Sequence, residues 1–313
     1  MWAYILRRIV ATIPVMAIVA LFVFSLLYIA PGDPAAVIAG DQATPDDVER
    51  IRASLGLDRP FLVRFGEWGF RIIQGDLGVS IFTNLPVVTM IKQRIEPTLS
   101  LMVVTLCLAL AIAIPMGVVA AWKQGTTIDR FVMGFAVLGF SVPVFVVGYL
   151  LAYVFALELD WLPVQGYTPL SEGVPYWLEN LILPAVALGG VYIALIARIT
   201  RASMLEVLSQ DYIRTARAKG AGQVSILFMH ALKNAAVPIV TVVGIGFAGL
   251  IGGAVVTESV FAIPGLGRLT VDAILRRDYP VIQGVVLLFS FMYVIVNLAI
   301  DILYTVFDPR IRY

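Results

Sequence analysis

The sequence predicts an all-α membrane protein with six transmembrane helices and a small folded extracytoplasmic cap between helices 1 and 2. Three observations carry that expectation. Of the 313 residues, 60% are hydrophobic and only 14% are charged, and the mean hydropathy is +0.93, a balance foreign to water-soluble domains. Apolar runs near 9–29, 98–122, 131–157, 179–200, 235–257 and 281–304 each approach or exceed the roughly 20 residues needed to cross the hydrocarbon of a bilayer. Between the first two runs, residues 31–97 are polar and carry the turn and capping signals of a folded segment.

In chain order, Arg7 and Arg8 precede the first run. That run exceeds a signal-peptide core, and no small-x-small cleavage site precedes Pro31, so a retained anchor is expected. Pro31, Gly32, Asp33 and Pro34 stop the helix. Beyond Asp41, Thr44 is placed to cap a short helix opened by Pro45, with Asp46 and Asp47 in its first turn and Val48, Ile51 and Leu55 following; Gly56 ends it. A second amphipathic helix is expected from Pro60 to Ile73 on Phe61, Phe65, Trp68 and Ile72, then a turn over Gly75–Gly78, then a helix from Val87 to Arg94. This cap lies on the membrane face, over a pore mouth, or as a lid that only stabilises the bundle.

Glu96 and Pro97 open the second run. Pro115 with Gly117, and Pro143 with Gly139 and Gly148, interrupt the second and third; such breaks serve packing or bending. The fifth run carries Gly244, Gly246, Gly249, Gly252 and Gly253, which permit close helix approach. Glu258 follows, then Phe261, Ala262, Ile263, Pro264, Gly265, Leu266 and Gly267, a pore-rim type of turn. Asn297 and Asp301 lie one turn apart in the last run. They are functional candidates there, although Asp301 is equally placed to cap or to pair with Arg310.

The interval 211–238 is the long polar stretch of the second half. Ile213, Ala216, Gly220, Val224, Leu227 and Ala231 recur at three or four residues, which predicts one helical face, or two helices joined near Gly220–Gly222. Arg214, Arg217 and Lys219 lie off that stripe. Lys and Arg before the first run, in 123–130, in 201–233 and after 305 fall on one side of six spans. Loop 158–178 has neither and holds Glu158, Asp160 and Glu172. Both termini are therefore expected in the cytoplasm of a multi-pass protein.

Catalysis has little to stand on. Cys107 and His230 are the lone cysteine and histidine, so no thiolate metal site, disulfide framework or zinc cluster can be assembled. No phosphate-cradling P-loop is present. The net charge of +1 includes no basic arm for nucleic acid. A gated path moved by an external motor through 211–233 fits best.

At that segment a resemblance appears. Asp211–Tyr212–Ile213–Arg214–Thr215–Ala216–Arg217–Ala218–Lys219–Gly220, with His230–Ala231–Leu232–Lys233–Asn234 and Pro238, resembles the ATPase-docking loop of permeases of the dipeptide/oligopeptide/nickel class of bacterial ABC importers. Arg214–Thr215–Ala216 stands where that class commonly has Glu-Ala-Ala, and Gly220 holds the glycine. The class is also similar at Ala30–Pro34, Gly75–Ser80, Pro86–Val87, Glu258–Phe261, Pro264–Gly267 and Asp308–Arg312. The resemblance implies a type I ABC importer permease fold, divided as first helix 1–30, cap 31–97, core 98–304 with coupling segment 206–233, and cytoplasmic tail 305–313. It implies a bacterial inner-membrane location and import of dipeptides or short oligopeptides; a nickel or metal-chelate cargo, or a peptide-like solute such as glutathione, is the alternative. The implied partners are a second homologous permease, two cytoplasmic ATPases and an extracytoplasmic substrate-binding protein. No cofactor is expected on this chain, with ATP and magnesium on the ATPases. Coupling falls to Asp211, Tyr212, Arg214, Thr215, Ala216, Arg217, Lys219, Gly220 and Ala221. Candidates for the pathway or its gate are Gly244, Gly249, Gly253, Glu258, Phe261, Pro264, Asn297 and Asp301.

Overall fold

The computed structural model describes residues 2–29, 34–39, 43–54 and 57–307. The expectations at Pro31–Asp33, Asp41, Leu55, Gly56 and the tail from Asp308, including Arg310, lie outside them. Among the described residues the fold is helical, with a lone antiparallel bridge, Val79 to Pro86. The helices are α1 (Trp2–Ile29), α2 (Pro34–Ala39), α3 (Pro45–Ser54), α4 (Phe61–Ile73), α5 (Val87–Trp122), α6 (Thr127–Ser141), α7 (Val144–Leu151), α8 (Val174–Leu208), α9 (Asp211–Ala218), α10 (Gln223–Ser225), α11 (Leu232–Asn234), α12 (Ala236–Val260), α13 (Leu266–Arg276) and α14 (Tyr279–Phe307). Ala152–Glu158 and Ile226–Ala231 continue α7 and α10 as π-helical turns.

Three expectations change. The helix expected over Val87–Arg94 and the second apolar run are one element, α5, with Pro97 inside it. At 36 residues, α5 is about 54 Å long, well beyond the roughly 30 Å of hydrocarbon. Pro115 does not interrupt the second run, since α5 continues through it, whereas the break expected at Pro143 is present, with α6 and the helix after it bent by 102°. Val142, preceding Pro143, is extended at φ −98°, ψ 124°, as proline imposes on its neighbour. Among the described residues, five helices are individually long and apolar enough to cross a membrane, and six spans result by length and composition if the bent pair counts as one. Lastly, Val224 is 71% exposed, and Ile226 is buried in its place.

The chain divides into two compact units. The core unit, Glu96–Arg268 with 295–307, has two distinct ends. At one, Val118 and Ala121 of α5, Met204 of α8, Ile213 of α9, Ile226, Leu227, Ala231, and Ile239 of α12 form one buried cluster. At the other, Thr98 of α5 meets Glu258 of α12, and Glu96 accepts hydrogen bonds from the Tyr167 hydroxyl and the Leu170 amide, both 3.0 Å. So α5 and α8 run parallel and α12 runs back. Asp129, at the start of α6, pairs with Arg201 near the end of α8, whereas Gly148 of α7 faces Val260 and Phe261 at the far end of α12. The bent pair thus traverses the core unit once.

The cap unit, Trp2–Ile95 with Leu269–Val294, is organised around aromatic packing. Phe24 of α1 meets Phe61, Phe65 and Trp68 of α4 at centroid distances of 5.3, 5.6 and 5.2 Å. The turn after α4 is pinned to the start of α14, because the Ser80 hydroxyl donates to the buried Asp278 carboxylate at 2.5 Å. Arg277, just before it, has φ +56°.

Candidate functional site

The coupling candidates lie on α9 and its exit. Ile213 is fully buried and fastens α9 to the cluster shared by α5, α8 and α12. Asp211, Tyr212, Arg214, Thr215, Arg217 and Lys219 are exposed, and Ala216 is half-buried. Asp211 in the first turn and Arg217 in the last each complement the helix dipole. Asp211 and Arg214 approach to 3.4 Å, but both side chains are over three-quarters exposed, so the pair adds little. Partial burial raises the Tyr212 phenol above its ordinary pKa, leaving a neutral hydroxyl on this face.

The helix ends in a Schellman motif. The Gly220 amide donates to Arg217 O at 3.0 Å and the Ala221 amide to Ala216 O at 3.1 Å, and Gly220 sits at φ +81°. A methyl group at Gly220 would meet nothing within 4 Å. The glycine is therefore needed for its backbone conformation, not for room. Ala221 turns back against the Ile213 cluster. The result is a short helix with an exposed, basic outer face and an inner face joined to three long helices.

The pathway candidates divide in two. Along α12, side chains at Gly244 and Gly253 would overlap Ile300 and Leu188, and Gly249 faces the Tyr192 hydroxyl. The glycines thus seat α12 against α8 and α14. At the end of α12, Glu258 is completely buried. Its carboxylate accepts from the Thr98 hydroxyl at 2.6 Å and the Arg268 amide at 3.0 Å, and Thr98 in turn accepts from the Leu266 amide at 2.8 Å. A methyl group at Gly265 would overlap that carboxylate. The Pro264–Gly267 turn is therefore wrapped around Glu258, with Phe261 buried and Pro264 exposed. Asn297, exposed, and Asp301, half-buried, flank Ile300 on α14, near Gly244 and away from Glu258.

Thr98 and the Asp129–Arg201 pair escaped the sequence reading. Arg201 donates to both Asp129 oxygens, at 2.5 and 2.7 Å, and the Gly125 amide adds a third bond at 2.9 Å. A lone acid between Lys123 and Arg130 was the available signal; nothing in the sequence marks Thr98.

Residues 113–313 match the family described as binding-protein-dependent transport system inner membrane component, and residues 1–102 match the N-terminal family of such components. A probable peptide ABC transporter permease of Sinorhizobium fredii is 56% identical, over 100% of both chains. A glutathione transport system permease of Escherichia coli is 43% identical, over 99% of both. A solved structure of an inward-facing methionine ABC transporter covers 70% of this chain and 96% of its own, with a TM-score of 0.59 and 19% identity, a likeness of fold.

Proposed function

The chain belongs to the inner membrane components of binding-protein-dependent transport systems, and from that premise we propose that it forms one half of the pathway of an ATP-driven importer of dipeptides or short oligopeptides. A second, homologous permease supplies the other half. Two cytoplasmic ATPases, which hold the ATP and magnesium, drive both, and an extracytoplasmic binding protein delivers cargo towards the cap. Both termini face the cytoplasm in this reading, as does the Ile213 end of the core unit.

The observation that carries the coupling role is α9. It offers Tyr212, Arg214, Thr215, Arg217 and Lys219 outward while Ile213 ties it to three spanning helices. A displacement imposed on its outer face is passed to all three, and conformational coupling requires such differential contacts. The Gly220 turn fixes the angle at which that face is presented. Slippage of α12 along its glycines, from Gly244 to Gly253, carrying the turn of Glu258, Phe261 and Pro264 with it, then opens or closes the path, with Asn297 and Asp301 beside Ile300 on the neighbouring α14. Peptide cargo is supported by the peptide-named relative, which matches the full length.

The test uses the complex reconstituted with its ATPases and binding protein. Gly220→Val should leave assembly intact, abolish peptide uptake and remove stimulation of ATP hydrolysis by loaded binding protein. Wild-type uptake by this variant would refute the coupling role. The glutathione permease relative favours a second reading with the same mechanics and a glutathione cargo; accumulation of labelled glutathione but not of dipeptides would select it.

A further inference from the structure

The polarity of α4 is inverted for a helix in water. At 100° per residue, Phe61, Phe65, Trp68 and Ile72 share one arc and pack on Phe24. Arg64, Glu67 and Arg71 share a second, and all three line a cleft of about 300 Å³ together with Arg59 and Asp76. Within it Arg59 pairs with Glu67 at 2.8 Å, and Arg64 bonds the Tyr28 hydroxyl. The third arc is apolar and bare. Leu62 is 76%, Phe70 62% and Ile73 84% exposed, and a methyl group on Gly66 or Gly69 between them would meet nothing within 4 Å. The charges thus face a cleft of the protein, and the apolar ridge faces out.

We propose that this ridge is seated in the lipid interface of the bilayer that α1 crosses, making α4 a membrane-surface helix rather than a solvent-exposed one. The helix packs on Phe24 and Tyr28, within the last six residues of the Arg7–Ile29 span. That places α4 at the depth where hydrocarbon gives way to headgroups. Among the described side chains of α1, only Val23 and Phe24 are buried, so lipid reaches α1 around most of its circumference and is continuous with the ridge beside it. Tyr28, with the Arg64 guanidinium 5.3 Å above its ring, has the amphipathic character of interfacial anchors. A helix whose apolar face enters the headgroup boundary to about 5–10 Å holds this position without a protein partner.

The test places single cysteines in a Cys107→Ser background of the assembled transporter in phospholipid nanodiscs. Leu62→Cys and Ile73→Cys report the ridge, and Glu67→Cys reports the charged arc. Each carries a bimane label. Phosphatidylcholine spin-labelled near the headgroup should extinguish most of the emission at 62 and 73 and little at 67, with aqueous iodide giving the reverse. Iodide quenching at 62 and 73 equal to that at 67 would overturn the proposal. So would failure of 62 and 73 to label until a companion subunit is removed, which would assign the ridge to protein contact through Gly66 and Gly69.

Discussion

Asp129 is 4% exposed and is held by two bonds from Arg201 and one from a backbone amide. Truncating one member of such a pair strands a buried charge, whereas replacing both with apolar groups does not. Arg201→Leu, which leaves the buried Asp129 carboxylate without its guanidinium, is therefore expected to cost about 3–5 kcal/mol, read as a fall in the thermal midpoint in detergent. Asp129→Ala combined with Arg201→Leu should recover most of that loss, and simple addition of the single effects would contradict the account. Glu258 poses a different constraint. Gly265 lets the chain close over its carboxylate, so Gly265→Ala should destabilise by about 1–3 kcal/mol through overpacking. Gly252, whose added methyl group meets nothing within 4 Å, should accept alanine without loss; equal effects at the two positions would deny the clasp.

At the scale of elements, α9 owes its end to one left-handed residue. Alanine at φ +81° costs about 1–2 kcal/mol, and asparagine less because its side chain tolerates that region. Stability, and with it the stimulated ATPase activity of the complex, should fall in the order Gly220, Gly220→Asn, Gly220→Ala. An asparagine variant worse than alanine would mean that room, not conformation, matters. The same residue explains the departure from periodicity. The count by three and four through Gly220 points to Val224, Leu227 and Ala231; Leu227 and Ala231 are buried, but the turn between the two helices resets the phase, so Val224 is exposed and Ile226 goes inward. Before the turn, Ile213 is buried as its place in the stripe predicts, because a single uninterrupted helix preserves its stripe. Proline had a similar effect in the third run. Pro143 marks a break, but the 102° bend depends on where Gly148 and Asp129 find their partners, which no local pattern records.

For the whole molecule, hydropathy was the strongest signal, since every membrane span must be apolar along its length. The pairings Thr98–Glu258, Asp129–Arg201 and Ser80–Asp278 were not legible, because they join residues 72 to 198 positions apart and single polar residues carry no address. Within the core unit α8 runs from the end that holds loop 158–178 to the end that holds α9. With Cys107 replaced by serine, Asp160→Cys should react with an impermeant maleimide on intact spheroplasts, and Arg217→Cys only after permeabilisation. Labelling of both from outside would contradict the crossing between them, and labelling of Arg217→Cys alone would reverse the topology.

The buried cluster at Ile213 and the carboxylate clasp at Glu258 grip the same two rods, α5 and α12, at opposite tips. Rods tied at both tips cannot scissor; they tilt as a single frame. The close contacts of the glycine track of α12 with Leu188 and Ile300 form the remaining seam of the core unit, and under the proposed coupling role a push on α9 would be spent there.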